Sequence, residues 1–138
     1  MILRTTSEIE GFGWCYMNDP IPTKPYFFSL RLDKIGSDRG MLIGIFNEKS
    51  MTKNAIMNSY SLLYNPLGKL WNGKTEKNTK SENEGSIITL YIDISTKIIV
   101  WLSGSELVKV TAIPEGIAKG KNYLIIYLWE VGSCVTLM

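Results

Sequence analysis

Apolar positions in this chain come in short runs broken by turn residues, the spacing of strands and not of helices. The segment "YFFSLRLDKI" (26–35) alternates after its aromatic start, with Phe28, Leu30 and Leu32 on one face and Ser29, Arg31 and Asp33 on the other. "FGWCYM" (12–17), "MLIGIF" (41–46), "YSLLY" (60–64), "LVKVTAI" (107–113), "YLIIYLW" (123–129) and "CVTLM" (134–138) read as further strands. The densest block is "GSIITLYIDISTKIIVWLSGSEL", from Gly85 to Leu107, which predicts two strands and two turns. Within it Ile98, Val100 and Leu102 face one side and Ile99 and Trp101 the other, so this strand is expected to be covered on each face or packed against another segment.

The breaks carry turn chemistry. "GSDRG" (36–40) has the composition of a hairpin turn, "NPLG" (65–68) of a second turn and "PEGIAKGKN" (114–122) of a third. Residues 47–58 fit one helical turn or a loop equally well. "NGKTEKNTKSENEG" (72–85) is almost devoid of apolar residues and reads as a solvated loop. No i, i+3, i+4 pattern is sustained anywhere. The expectation is an all-β chain, a two-sheet antiparallel β-sandwich forming a single domain over residues 1–138.

Composition narrows the chemistry. With 15 basic and 13 acidic residues the net charge is +2, too balanced to predict a nucleic-acid partner. There is no histidine, which removes the commonest general base and metal ligand. The two cysteines, Cys15 and Cys134, form no CxxC pair. They allow one bridge near the chain ends, though two reduced, partly buried thiols are the favoured reading. The N-terminal residues lack a signal-peptide pattern, and no apolar run is long enough to span a bilayer. An intracellular, cytoplasmic domain without membrane insertion is therefore expected.

Catalytic constellations are hard to assemble. Asp33, Asp93 and Glu130 each stand alone in a predicted strand, whereas a glycosidase needs two acids aimed at one bond. Glu82 and Glu84 fall in the polar loop, where solvated charges are expected. No GxSxG elbow occurs, and neither cysteine has a histidine to activate it. "GIAKGKN" (116–122) superficially resembles a phosphate loop, but it is one residue short and Asn122 stands where Ser or Thr belongs. Lys69, Lys74, Lys77 and Lys80 surround Trp71, yet Glu76, Glu82 and Glu84 dilute their charge. Nor is there a cluster of acids for calcium. No enzyme activity, metal or cofactor is expected.

Aromatic residues say more. Trp101 and Trp129 lie within strongly apolar strands and read as core. Trp71 sits at the mouth of the polar loop beside Asn72 and Gly73, with Tyr64 and Asn65 across a short turn. An aromatic among amides and lysines suits peptide binding. It suits equally a Trp71 that packs its own loop against the sandwich.

The order of these segments resembles the SPRY (B30.2-like) family, whose fold is a concanavalin-like jelly roll. The residues that carry the resemblance are Ile43-Gly44-Ile45, Tyr60 to Gly68, Gly85 through Asp93, Ile99 to Trp101, and Ser103-Gly104 with Leu107. "FFSLRLDKI" upstream and "NYLIIYLWEVGSCVTL" at the close extend it over roughly residues 26–137. Ser86 and Ser103 depart from the pattern, which has Asp and Asn there. The resemblance implies a non-enzymatic protein-interaction module, an adaptor that binds a peptide or protein surface through loops at one edge and can sit in a larger complex. On that implication the candidate surface is Tyr64, Asn65, Trp71, Asn72 and Lys74, joined by Tyr16 and Asn18 of "WCYMND". Tyr64 and Trp71 would anchor the ligand, while Asn65 and Asn72 would bond its backbone. Asp93 is expected to cap the turn "DISTK", and Gly104 to take a positive φ. A carbohydrate-binding, lectin-like sandwich is the alternative, with a jelly-roll hydrolase behind it.

Overall fold

The computed structural model describes residues 8–10, 13–35, 41–49, 61–66, 68–72, 75–77, 82–128 and 133–138. Its strands are β1 (Glu8–Glu10), β2 (Gly13–Tyr16), β3 (Tyr26–Lys34), β4 (Met41–Asn47), β5 (Ser61–Asn65) and β6 (Lys69–Trp71). They continue as β7 (Thr75–Lys77), β8 (Ile87–Asp93), β9 (Ile98–Ser103), β10 (Glu106–Ala112), β11 (Asn122–Leu128) and β12 (Cys134–Leu137). A single helical turn, α1 (Glu115–Ala118), precedes β11. Two antiparallel six-stranded sheets result. One has the order β2-β11-β4-β5-β6-β7 and the other β1-β12-β3-β8-β9-β10.

Side-chain alternation places the core between them. Leu30 and Leu32 of β3, Ile88, Leu90 and Ile92 of β8, and Ile99 and Trp101 of β9 meet Ile43, Ile45, Leu62, Leu124 and Ile126 from the other sheet in one buried cluster. Trp101 is fully buried, its ring 5.4 Å from that of Tyr64.

The Gly85–Leu107 block forms as expected. β8 and β9 pair as a hairpin and β9 continues into β10. Asp93 closes the hairpin: its Oδ1 accepts from Ser95 Oγ at 2.7 Å, from Ser95 N at 3.1 Å and from Thr96 N at 3.2 Å. The Ser95 hydroxyl is the main cause that holds this carboxyl below the ordinary carboxylate range, with Thr96 assisting and burial opposing. Gly104 has φ of 57°.

Several expectations change. β3 and β4 do not form a hairpin. β3 pairs with β12 and β8, and β4 with β11 and β5, so the chain changes sheet between them. Residues 36–40 themselves, and 50–60, lie outside the described residues. The polar loop is not wholly a loop, because β7 adds an edge strand to β6. Glu82 is buried, not solvated: its Oε2 accepts from Ser103 Oγ at 2.6 Å, and its backbone N–H donates to the Pro66 carbonyl. Glu84 is exposed and accepts from the Ile35 N–H. The strand carrying Trp101 is covered on one face only, and Ile98 is exposed on the other.

Cys134 is buried and is a thiol, not half of a bridge to Cys15. Its Sγ lies 3.7 Å from Asp33 Oδ2, which also accepts from Thr136 Oγ1 at 2.6 Å. Arg31 Nε reaches Asp33 Oδ1 at 2.6 Å. Burial pushes the Asp33 carboxyl up, but Thr136, Arg31 and Cys134 together outweigh it and leave it below its ordinary value. Trp129 and Glu130 lie outside the described residues.

Candidate binding site

The expected surface divides when the strand register is followed. β5 and β6 form a tight hairpin in which the Gly68 N–H donates to the Asn65 carbonyl at 2.9 Å. Asn65 therefore pairs with Lys69, Tyr64 with Leu70, and Leu63 with Trp71. Cross-strand partners share a face and successive residues alternate. Tyr64 and Leu70 point into the sandwich, whereas Leu63 and Trp71 lie on its outer side. Tyr64 is only 1% exposed and so cannot anchor a ligand beside Trp71. Asn65 is also buried, at the turn end of the hairpin.

Trp71 and Asn72 sit at the opposite end and are partly exposed. Trp71 packs on a second small cluster formed on the outer side of the sheet by Leu42, Phe46, Leu63 and Ile125. Tyr123 and Tyr127 flank the same cluster, and the Tyr123 ring lies 5.7 Å from Phe46. These two tyrosines were absent from the sequence-derived surface. The alternation Tyr123, Ile125, Tyr127 against Leu124, Ile126, Leu128 carries the signal that could have found them.

One register row crosses the sheet through Tyr16, Ile125, Gly44, Leu63 and Trp71. Each neighbouring pair is antiparallel, so β2, β4 and β6 all run in the same direction. Their following residues leave at one rim: Met17 and Asn18 after β2, Glu48 after β4, Asn72 after β6. Asn18 is exposed. Four strand spacings separate the β2 and β6 corners, roughly 19 Å. The structure thus brings the backbone of Tyr16 and Asn18 to the rim of Trp71 and Asn72, and removes Tyr64 and Asn65 from it. Lys74 lies outside the described residues, as does the side chain of Tyr16.

The middle of the rim is fixed by an amide network that sequence reasoning missed. Asn47, fully buried, donates through Nδ2 to the carbonyls of Lys119 at 2.6 Å and Ile117 at 3.2 Å, and to Asn122 Oδ1 at 3.2 Å. Its Oδ1 accepts from the Lys49 N–H at 3.1 Å. The amide ties the end of β4 to the turn after α1 and to the start of β11. The adjoining loop is bound to the same strand, because the Met17 N–H donates to the Leu124 carbonyl and the Ile21 N–H to the Asn122 carbonyl. Lys97 Nζ bonds Glu115 Oε2 at 2.5 Å and joins the β8–β9 turn to α1. Lys97 lowers the Glu115 carboxyl by that bond and by its charge.

Replacing Asn47 with alanine strands the Ile117 carbonyl and the Asn122 side-chain oxygen in a buried place and removes the partly buried bond to the Lys119 carbonyl. The expected cost is about 1–3 kcal/mol, read as a lower urea midpoint at unchanged m-value.

Among the described residues the rim offers aromatic surface and amides. Among the described residues no group of three or more His, Cys, Asp or Glu is placed to hold a metal. No helix among them is long and apolar enough to cross a membrane.

No family model matches the sequence, and no curated protein matches it significantly. Solved structures do. The SPRY domain of human HERC1 superposes with a TM-score of 0.73 at 16% identity, covering 93% of this chain and 83% of that one. A human SPRY domain gives 0.73 at 15% identity, covering 99% and 93%. The TRIM65 PSpry domain gives 0.70 at 12% identity, covering 92% and 71%. The chain has the SPRY fold, as the resemblance implied.

Proposed function

We propose that this chain is a non-enzymatic protein-interaction module that binds a peptide or protein surface at the rim where β2, β4 and β6 end. The observation that carries the reading is the common direction of β2 and β6, which delivers Asn18 and Asn72 to one rim beside a partly buried Trp71. Trp71 supplies an apolar anchor on a rigid base of Leu63, Phe46 and Ile125. Asn72 and Asn18 bond the ligand's backbone and polar groups. The likeness to SPRY domains favours a protein ligand. A stiff core that leaves its rim loops to vary is the physical arrangement such a module needs. A cytoplasmic setting and a place in a larger complex fit this role.

The test compares the chain and its Trp71→Ala variant in a pull-down and on a glycan array. Loss of an aromatic anchor is expected to weaken capture of a protein partner by about 30-fold. Binding to glycans that disappears with Trp71, with no protein partner captured, would make the chain a lectin-like sandwich instead.

A further inference from the structure

The outer face of the second sheet carries an apolar surface that the rim does not use. Cross-strand register aligns Phe27, Tyr91, Val100 and Val110 in one row across β3, β8, β9 and β10. The next row is Ser29, Thr89, Leu102 and Leu107. Phe27 is 65% exposed, Leu107 56% and Val110 53%, and Ile87 and Ile98 add to them. Four strands and these rows span roughly 15 by 20 Å, the size of the largest apolar patch on an ordinary monomer, about 300–600 Å². A stable dimer buries about 800 Å² per partner, with an apolar centre inside a polar rim. The patch has the dimensions of such a centre. Arg31 and Asp33, further along β3, and Thr136 of the adjoining β12 border it, bonded to one another.

Two features choose the occupant. An added strand at β10 is opposed by the bulge between Leu107 and Lys109 and by Lys109 itself, both of which blunt an edge. The face, by contrast, is complementary to itself. Its main row is tall on one half, where the Phe27 and Tyr91 rings touch at 4.9 Å, and low on the other, at Val100 and Val110. A two-fold axis parallel to the strands, between β8 and β9, sets Phe27 of one copy over Val110 of the other and Tyr91 over Val100. Among the described residues Arg31 and Asp33, which border the patch, form an ion pair with each other. We infer that this face is an isologous dimer interface, with the Phe27–Tyr91 ridge of each copy seated in the Val100–Val110 hollow of the other.

Sedimentation across a concentration series tests it on the full chain. The unaltered chain is expected to dimerise, and Val110→Arg to weaken association at least 30-fold. Val110 is half exposed, so folding, followed by circular dichroism, is expected to be unchanged. Phe27→Asp should act alike. The double variant F27D/V110R should recover association, because the two new charges face each other. A chain that stays monomeric overturns the inference and leaves the face to a different partner. A dimer indifferent to V110R places the contact elsewhere, and a double variant that recovers nothing refutes the facing of Phe27 and Val110.

Discussion

Trp101→Ala is expected to cost about 3–5 kcal/mol, the largest loss of any single change in the core. Trp101 is 0% exposed and packs on Tyr64 across the gap between the sheets. Both sheets hold its surroundings in place, so little of the space it leaves can collapse. A small domain is stable by about 5–15 kcal/mol, so the variant stands near the unfolding threshold at room temperature. Trp101 Nε1 meets no hydrogen-bond acceptor among the described residues. Trp101→Phe keeps an aromatic ring against Tyr64 and discards that stranded donor, so it is expected to cost only about 1–2 kcal/mol. Urea unfolding of the two variants separates volume from hydrogen bonding. Equal losses would show that the ring's packing is not the source of the effect.

Gly44→Ala is the second large effect, and its cause is the reverse. Gly44 lies opposite Leu63 in the centre of the sheet. A Cβ there would come 2.0 Å from the Leu62 carbonyl oxygen, which is backbone and cannot rotate away. Either the β4–β5 ladder opens or β4 shifts, and the row from Tyr16 to Trp71 passes through this point. The expected cost is about 3 kcal/mol, at the upper end of overpacking. The same variant should disturb the rim, seen as shifted backbone amide resonances at both Asn18 and Asn72. A variant as stable as the unaltered chain would mean that β4 and β5 are not this close.

Local pattern carried the reading furthest where neighbours in sequence are neighbours in space. The Gly85–Leu107 block pairs with itself, so its turns, the Asp93 cap and the Gly104 backbone follow from adjacent residues alone. The β3–β4 connection fails for the opposite reason. "GSDRG" has turn composition whether the chain reverses in one sheet or crosses to the other, and only distant partners, β12 and β11, decide. At the candidate site the error was one of parity. Tyr64 and Trp71 are close in sequence, but pairing Asn65 with Lys69 places them on opposite faces of one hairpin. That register was countable from the four-residue turn. The Asn47 amide was not foreseeable, since its partners lie about seventy residues away. Glu82 was misplaced because its burial depends on Ser103, a contact that charge density along the chain does not reveal.

The two ends of the β5–β6 hairpin offer the most direct test of the rim as the binding surface. With a partner captured by the unaltered chain, titration calorimetry compares Trp71→Ala with Lys69→Ala, which lies beside Asn65 at the turn end. The expected result is a loss of about 30-fold or more for Trp71→Ala and unchanged affinity for Lys69→Ala. Full affinity in Trp71→Ala together with a loss in Lys69→Ala would contradict the account and move the site to the other end of the sheet.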